Sequence, residues 1–269
     1  MKRFLIGLFL YFLIGGCGWL FAAEDASESV FHGGKSEILS SDPDRATKAI
    51  RKWSEPSEWN EKDDPEDTPY FWDFDAVGRQ VFIRIIKNDN REGELEVWLK
   101  GRESQVFELF KTYRIAFFSG EVGPKTAEGD WQAPEGFYYI KRSRMNPASN
   151  YHLSMDIGYP NAYDRHHERT GDYLMIHGKS VSIGCFAMTD ASIEQIYTLV
   201  DAALKNGQAV IRVHCFPFRM SATTLEKKTD SRHFEFWENL SEGWDWFEAH
   251  LVPPDVGVID GRYVFSHLP

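Results

Sequence analysis

Cysteine is scarce. Cys17, Cys185 and Cys215 are all the chain has, with no CxxC pair and no Cys/His cluster. A disulfide-built scaffold and a structural zinc site are thereby excluded. Basic charge is also short: 30 Lys and Arg face 41 Asp and Glu, a net charge of −11. Such a balance repels phosphate backbones and argues against a nucleic-acid partner. No GxGxxG or phosphate-loop pattern occurs, and no repeat of fixed period, so nothing points to a nucleotide cradle or a solenoid.

Apolar residues are plentiful. They make up 42% of the 269 residues, including 20 Phe, 11 Tyr and 9 Trp. A sizeable core follows, and collagen-like, wholly disordered and polytopic membrane readings are excluded. The length suits one compact domain with extensions.

The first 23 residues read as an address. Lys2 and Arg3 precede an apolar run over 4–14, and small residues follow, the layout of a secretory signal. An uncleaved anchor is the alternative, since an apolar stretch of about 20 residues can span a bilayer. Cleavage after Ala22 or Ala23 suits an ordinary signal peptidase. Ile14-Gly15-Gly16-Cys17 also resembles a bacterial lipobox, although the apolar run continues past Cys17 to Phe21. The expectation is export to the periplasm or cell envelope, with membrane targeting confined to this end and lipid anchoring through Cys17 as the alternative. Cys185 and Cys215 then remain, and in an oxidising space two cysteines can pair.

Residues 24–78 are polar and acidic and read as a tether or loosely packed extension, with Trp53 and Trp59 as docking side chains. Strand patterns begin near residue 80: 81–87, 94–100, 106–118, 136–142, 173–178 and 208–216 are rich in β-branched and aromatic residues. NDNREG between the first two is turn chemistry and predicts a hairpin. Thr189-Asp190 can cap a helix carried by Ile193, Ile196, Tyr197, Val200, Ala203 and Leu204 and stopped by Gly207. The body is thus 79–217, mainly β with short helices, as a sandwich or barrel. Residues 218–269 add an aromatic-rich helical stretch and a final strand.

One region carries chemistry. Met175-Ile176-His177-Gly178 ends a strand, and Ser182-Ile183-Gly184-Cys185 follows before the helix. A cysteine nucleophile needs a thiolate, a base for its proton and donors for an oxyanion. A neighbouring imidazole and a nearby helix start both favour the anion. His177 and Cys185 are close enough in sequence for a loop to join them, Gly184 lets the backbone approach a substrate, and the N–H groups of Gly184 and Cys185 can form the oxyanion hole. Against this, a Cys among apolar residues is ordinarily a buried small hydrophobe. Spacing alone leaves both readings open. His166-His167 lacks the spacing of a metal pair, because adjacent side chains diverge, and no metal is expected. His214 and Cys215, neighbours on a strand, point to opposite faces and make no pair.

The block IHG…SIGC-x-x-M resembles the signature of the L,D-transpeptidase catalytic domain, the YkuD-type family. Thr126, Pro134, Gly136 and Tyr138 match its Thr/Pro/Gly-rich approach to a strand. PNAYDRHH (160–167), SVSIGCFAMT (180–189) and FPFRM (216–220) look most like its YafK-like subgroup of murein proteins, and the likeness runs from about 80 to 265. The resemblance implies a β-sandwich or barrel catalytic domain over 79–217 plus a C-terminal α/β extension. It implies acyl transfer on peptidoglycan stem peptides, without a cofactor, with Cys185 as nucleophile and His177 as general acid/base. The Gly178 carbonyl then orients the imidazole. Arg165, Asp164, Tyr163 and Ser182 are the implied substrate contacts, with Arg165 as a carboxylate fork for a diaminopimelate centre; a solvated loop with a salt bridge is the alternative. Two departures stand out. The family's Arg two residues after the nucleophile is Ala187 here, and a His common in the signature is Ile183. Crosslinking, or hydrolysis that frees a wall-linked lipoprotein, are the competing reactions. An inactive wall-binding protein is the rival from another class, and a Cys185–Cys215 disulfide would favour it.

Overall fold

Arg45–Ser54 is a ten-residue helix, α1. The computed structural model describes residues 44–58, 60, 62 and 72–267, so the signal segment, Cys17 and Trp59 lie outside the described residues. Within the expected loose extension, α1 is an ordered and docked element. Its apolar stripe is Ala46, Ala49, Ile50 and Trp53, spaced i, i+3, i+4, i+7, a short helical face set in a polar, acidic surrounding. Ala46, Ala49 and Trp53 are buried, and Trp53 has no exposed surface. Trp72 packs edge-on against Trp53 and donates its indole N–H to the Trp53 carbonyl at 2.8 Å. Trp53→Ala is expected to cost about 3–5 kcal/mol, because a fully buried aromatic leaves a cavity behind. A lowered denaturation midpoint at unchanged slope would register it.

Val81–Ile86 forms β1, and Glu94–Lys100 forms β2, antiparallel to it through the expected turn. Phe107–Arg114, β3, pairs with β2. The strand pattern over 106–118 divides between two sheets, for Phe117–Phe118 is a separate strand, β4, in the second. Gly136–Ile140 is β5, Met145–Asn146 is β6 and Ser154–Asp156 is β7. A five-residue helix, α2, covers Ala162–His166. Met175–His177 is β8 and Phe186–Ala187 is β9. The capped helix appears as α3, Asp190–Lys205, with the Thr189 hydroxyl accepting from the Ser192 N–H. Ile211–Phe216 is β10.

The first sheet runs β3-β2-β1-β10-β5 and the second β4-β9-β8-β7-β6. Ile83, Ile85, Val97 and Val213 of the first sheet meet Phe118, Met155, Ile176 and Phe186 of the second, with Ile193, Ile196 and Leu199 of α3 in the same core. The fold is mainly β, as expected, and of the two expected architectures it is layered: among the described residues neither sheet closes into a barrel.

The C-terminal segment adds α4 (Ala222–Glu226), α5 (Phe234–His250) and a hairpin of β11 (Asp255–Ile259) and β12 (Arg262–Ser266). The aromatic-rich stretch is one continuous helix. It covers the other face of the first sheet, where Trp237, Leu240 and Trp244 join Phe137, Phe216 and Tyr263. That is why β1 is buried along its whole length. Arg84 survives there because it lies over the Trp244 ring at 4.0 Å and pairs with Glu96 at 2.6 Å and Glu248 at 2.5 Å. His214 sits on this face among Phe82 and Phe137, while Cys215 points into the inter-sheet core.

One buried ion pair ties the segment to the loop that borders the site. Lys87 and Glu135, both fully buried, meet at 2.9 Å. Lys87 Nζ also donates to the carbonyls of Gly123 and Ala133, and Glu135 accepts from the Gly123 N–H and the Trp237 indole N–H. A buried pair this fully hydrogen-bonded offsets its desolvation and fixes a conformation.

Candidate active site

Strands β8 and β9 are parallel neighbours, with Ile176 opposite Phe186 and His177 opposite Ala187. Ile176 and Phe186 face the core, so alternation turns His177 and Ala187 to the other face. Cys185 immediately precedes β9, and its sulfur accepts the Met175 N–H at 3.3 Å. Cys185 thus sits beside Met175, and His177 lies two residues further along β8. No hydrogen bond joins the two side chains among the described residues. The thiol instead reaches the Tyr173 carbonyl at 3.7 Å.

The imidazole is held firmly. His177 Nδ1 lies 2.6 Å from the Gly178 carbonyl. A carbonyl can only accept, so the proton belongs on Nδ1 and Nε2 keeps its lone pair. The Tyr151 ring packs against the imidazole at 4.7 Å between centroids. Burial pushes the His177 pKa below its usual value, partly opposed by the Gly178 carbonyl and reinforced by Lys179. Gly178 itself has no room for a side chain: a Cβ would lie 2.7 Å from both the Tyr151 carbonyl and Asp190 Oδ1.

The thiol is less activated than spacing suggested. Cys185 is 7% exposed, and burial pushes its pKa up to about 11 despite hydrogen bonds from Met175 and Ser182. Among the described residues neither of the two expected anion-stabilisers is hydrogen-bonded to the sulfur, whose partners are the Met175 N–H and the Tyr173 carbonyl. The imidazole is bonded to the Gly178 carbonyl, and α3 starts only after β9, where Asp190 accepts the Lys179 N–H instead. The two expected oxyanion donors are both engaged: the Cys185 N–H donates to Ser182 Oγ at 2.9 Å and the Gly184 N–H to Ser119 Oγ at 2.6 Å. Gly184 is at φ 88, a conformation that favours glycine. Cys185 and Cys215 are both free thiols.

The remaining residues separate. Tyr163 is buried and stacks on Tyr263 at 4.4 Å. Asp164 is fully buried and accepts from Arg169 at 2.9 Å, Tyr138 at 3.1 Å and the Asn161 N–H at 3.0 Å, closing a capping box on α2. Tyr163 thereby packs against the C-terminal segment, and Asp164 ties the 160–169 loop to β5. Arg165 is exposed and donates to the Pro160 carbonyl, while His167 meets the Gly261 carbonyl at 2.9 Å. Among the described residues no three His, Cys, Asp or Glu side chains gather as metal ligands. Ser119, Tyr151 and Tyr173 escaped sequence reading. They carry no motif, and Ser119 lies far in sequence from the residue it touches.

Comparison with known proteins agrees over most of the chain. A family model for the L,D-transpeptidase catalytic domain matches residues 84–214. YafK of Escherichia coli strain K12, whose name places it among the L,D-transpeptidases, is 43% identical over 190 residues, covering 71% of this chain and 75% of that one; YafK of Escherichia coli O157:H7 matches equally. Solved structures overlap more weakly. The helical cell shape determining protein Pgp2 from Campylobacter jejuni has a TM-score of 0.40 at 18% identity, covering 67% of this chain and 74% of that one. Bdellovibrio bacteriovorus Bd1075 has 0.34 at 18% identity, covering 64% and 62%.

Proposed function

The chain belongs to the L,D-transpeptidase catalytic-domain family, and from that membership we propose that it is an exported cysteine acyl-transfer enzyme acting on peptidoglycan stem peptides. The observation that carries this reading is the His177 Nδ1 to Gly178 carbonyl bond of 2.6 Å, which leaves Nε2 as a base at the end of β8, the strand whose Met175 N–H binds the Cys185 sulfur.

The steps follow from the starting protonation. Both groups begin neutral. Rotation of the thiol away from the Tyr173 carbonyl brings Sγ toward Nε2, which takes its proton as Sγ attacks a stem-peptide carbonyl carbon. Negative charge then forms on the carbonyl oxygen. The N–H groups of Gly184 and Cys185 meet it once the hydroxyls of Ser119 and Ser182 give way. The C–N bond breaks, the leaving amine takes the proton from His177, and a thioester remains. An incoming amine or water repeats the sequence in reverse and restores the thiol. The Gly178 carbonyl stabilises the transient imidazolium, so no third acidic side chain is required. Arg165 is the proposed carboxylate fork for diaminopimelate.

Ala187 favours water as acceptor. It is fully buried and in register with His177, so this position supplies no guanidinium to hold a second stem peptide. The corresponding reaction is cleavage of a diaminopimelate link between peptidoglycan and an attached lipoprotein. Incubating the purified protein with muropeptides, with and without a linked peptide, separates the readings by mass spectrometry. Crosslinked or exchanged products mean transfer, release of the linked peptide means hydrolysis, and no product from either means a wall-binding protein without activity.

A further inference from the structure

Resting on Cys185 and His177 as the reacting pair, we propose that helix α1 is a positioning element of the active site: it clamps the turn over 149–152, and that turn seats the His177 imidazole. The helix lies outside the stretch matched by the family model. Arg45 Nη1 donates to the carbonyls of Ser149 at 3.0 Å and His152 at 2.7 Å, the two ends of the turn. His152 is at φ 70, a left-handed conformation that a non-glycine residue keeps when its surroundings impose it. Its ring meets Glu194 Oε1 of α3 at 2.8 Å. The other Glu194 oxygen accepts the Trp53 indole N–H at 3.2 Å and lies 3.6 Å from Lys52 Nζ. The helix thus holds the turn twice, directly through Arg45 and indirectly through Glu194.

The turn in turn touches both parts of the imidazole's seat. The Tyr151 ring packs on His177. The Tyr151 carbonyl and His152 Cβ wall the space around Gly178, where an added Cβ would meet them at 2.7 and 2.8 Å. Gly178 carries the carbonyl that fixes the His177 tautomer. A displaced turn would move the ring that packs on the imidazole and the carbonyl that orients it, while every reacting group stayed present.

The test is steady-state turnover of disaccharide-tetrapeptide muropeptides by the full chain, with or without a linked peptide as the reaction requires. Arg45→Ala is expected to lower kcat about 10- to 100-fold, the scale of a misplacement near 1 Å, with KM almost unchanged. Arg45→Lys, which can still donate to both carbonyls, is expected to recover most of the loss. In a His177→Ala background Arg45→Ala is expected to cost nothing further, since the element acts through that imidazole. If Arg45→Ala does not fold, Glu194→Gln probes the same turn from α3 and is expected to lower kcat alone. A lowered melting temperature at unchanged kcat, or an equal loss in the His177→Ala background, would mean that α1 only stabilises the fold and would overturn the proposal. Turnover that survives in Cys185→Ala would instead overturn the reacting pair itself, a result that the Arg45 variants cannot mimic.

Discussion

Cys185→Ala is expected to reduce turnover to background while leaving the fold nearly intact. Among the described residues the other thiol, Cys215, is fully buried on β10, and acyl transfer through a thioester has no route without an accessible one. The structural cost is small. The substitution removes a sulfur that accepts from the Met175 N–H and reaches the Tyr173 carbonyl, on the order of 1 kcal/mol of weak hydrogen bonding. The parent thiol has its own signature. With its pKa pushed up to about 11, roughly one thiol in ten thousand is ionised at pH 7. Alkylation by iodoacetamide should therefore be slow at neutral pH and climb steadily toward pH 11. Fast alkylation at pH 7 would show that the anion is already formed before substrate binds.

His177→Ala is expected to slow acylation by about 10²- to 10⁴-fold, the range for loss of a positioned general acid/base. Its pH dependence is the sharper readout. The base must be neutral to take the thiol proton. Because burial pushes the His177 pKa below 6.5, the competent form predominates at and above neutrality and is lost as pH falls through that lowered pKa. The acid limb of kcat/KM should accordingly lie below pH 6.5 and vanish in the variant. A limb above 6.5 would mean that the imidazole prefers its charged form, contrary to its burial.

Much of the body was legible because its signals are local. The hairpin of β1 and β2 follows from two apolar runs around NDNREG, and α3 from a capping threonine, a 3.6-residue stripe and a terminal glycine. Short strands were harder. β6, β7 and β9 span two or three residues each, too few to show a period. α1 escaped because its docking rests on one short stripe, Ala46, Ala49, Ile50 and Trp53, inside an otherwise polar segment. Asp164 and Tyr163 show what sequence does not record for sites: the partners that hold a charged loop, here Tyr138, Arg169 and Tyr263, come from elsewhere in the fold.

By itself the sequence determined the order of the longer elements and singled out two candidate reacting residues, since periodicity, caps and turns act between residues a few positions apart. His177 and Cys185 could be singled out because one short stretch carries them. Their electrostatic state was decided only by tertiary structure. The thiol is held neutral by burial under residues distant in the chain. The N–H groups beside it are occupied by Ser182 and by Ser119, which a different strand end delivers. The seat of the imidazole is completed by a turn that Arg45 reaches across more than a hundred residues. Desolvation and hydrogen-bond satisfaction depend on what surrounds a group in space, and a linear pattern records only what precedes and follows it.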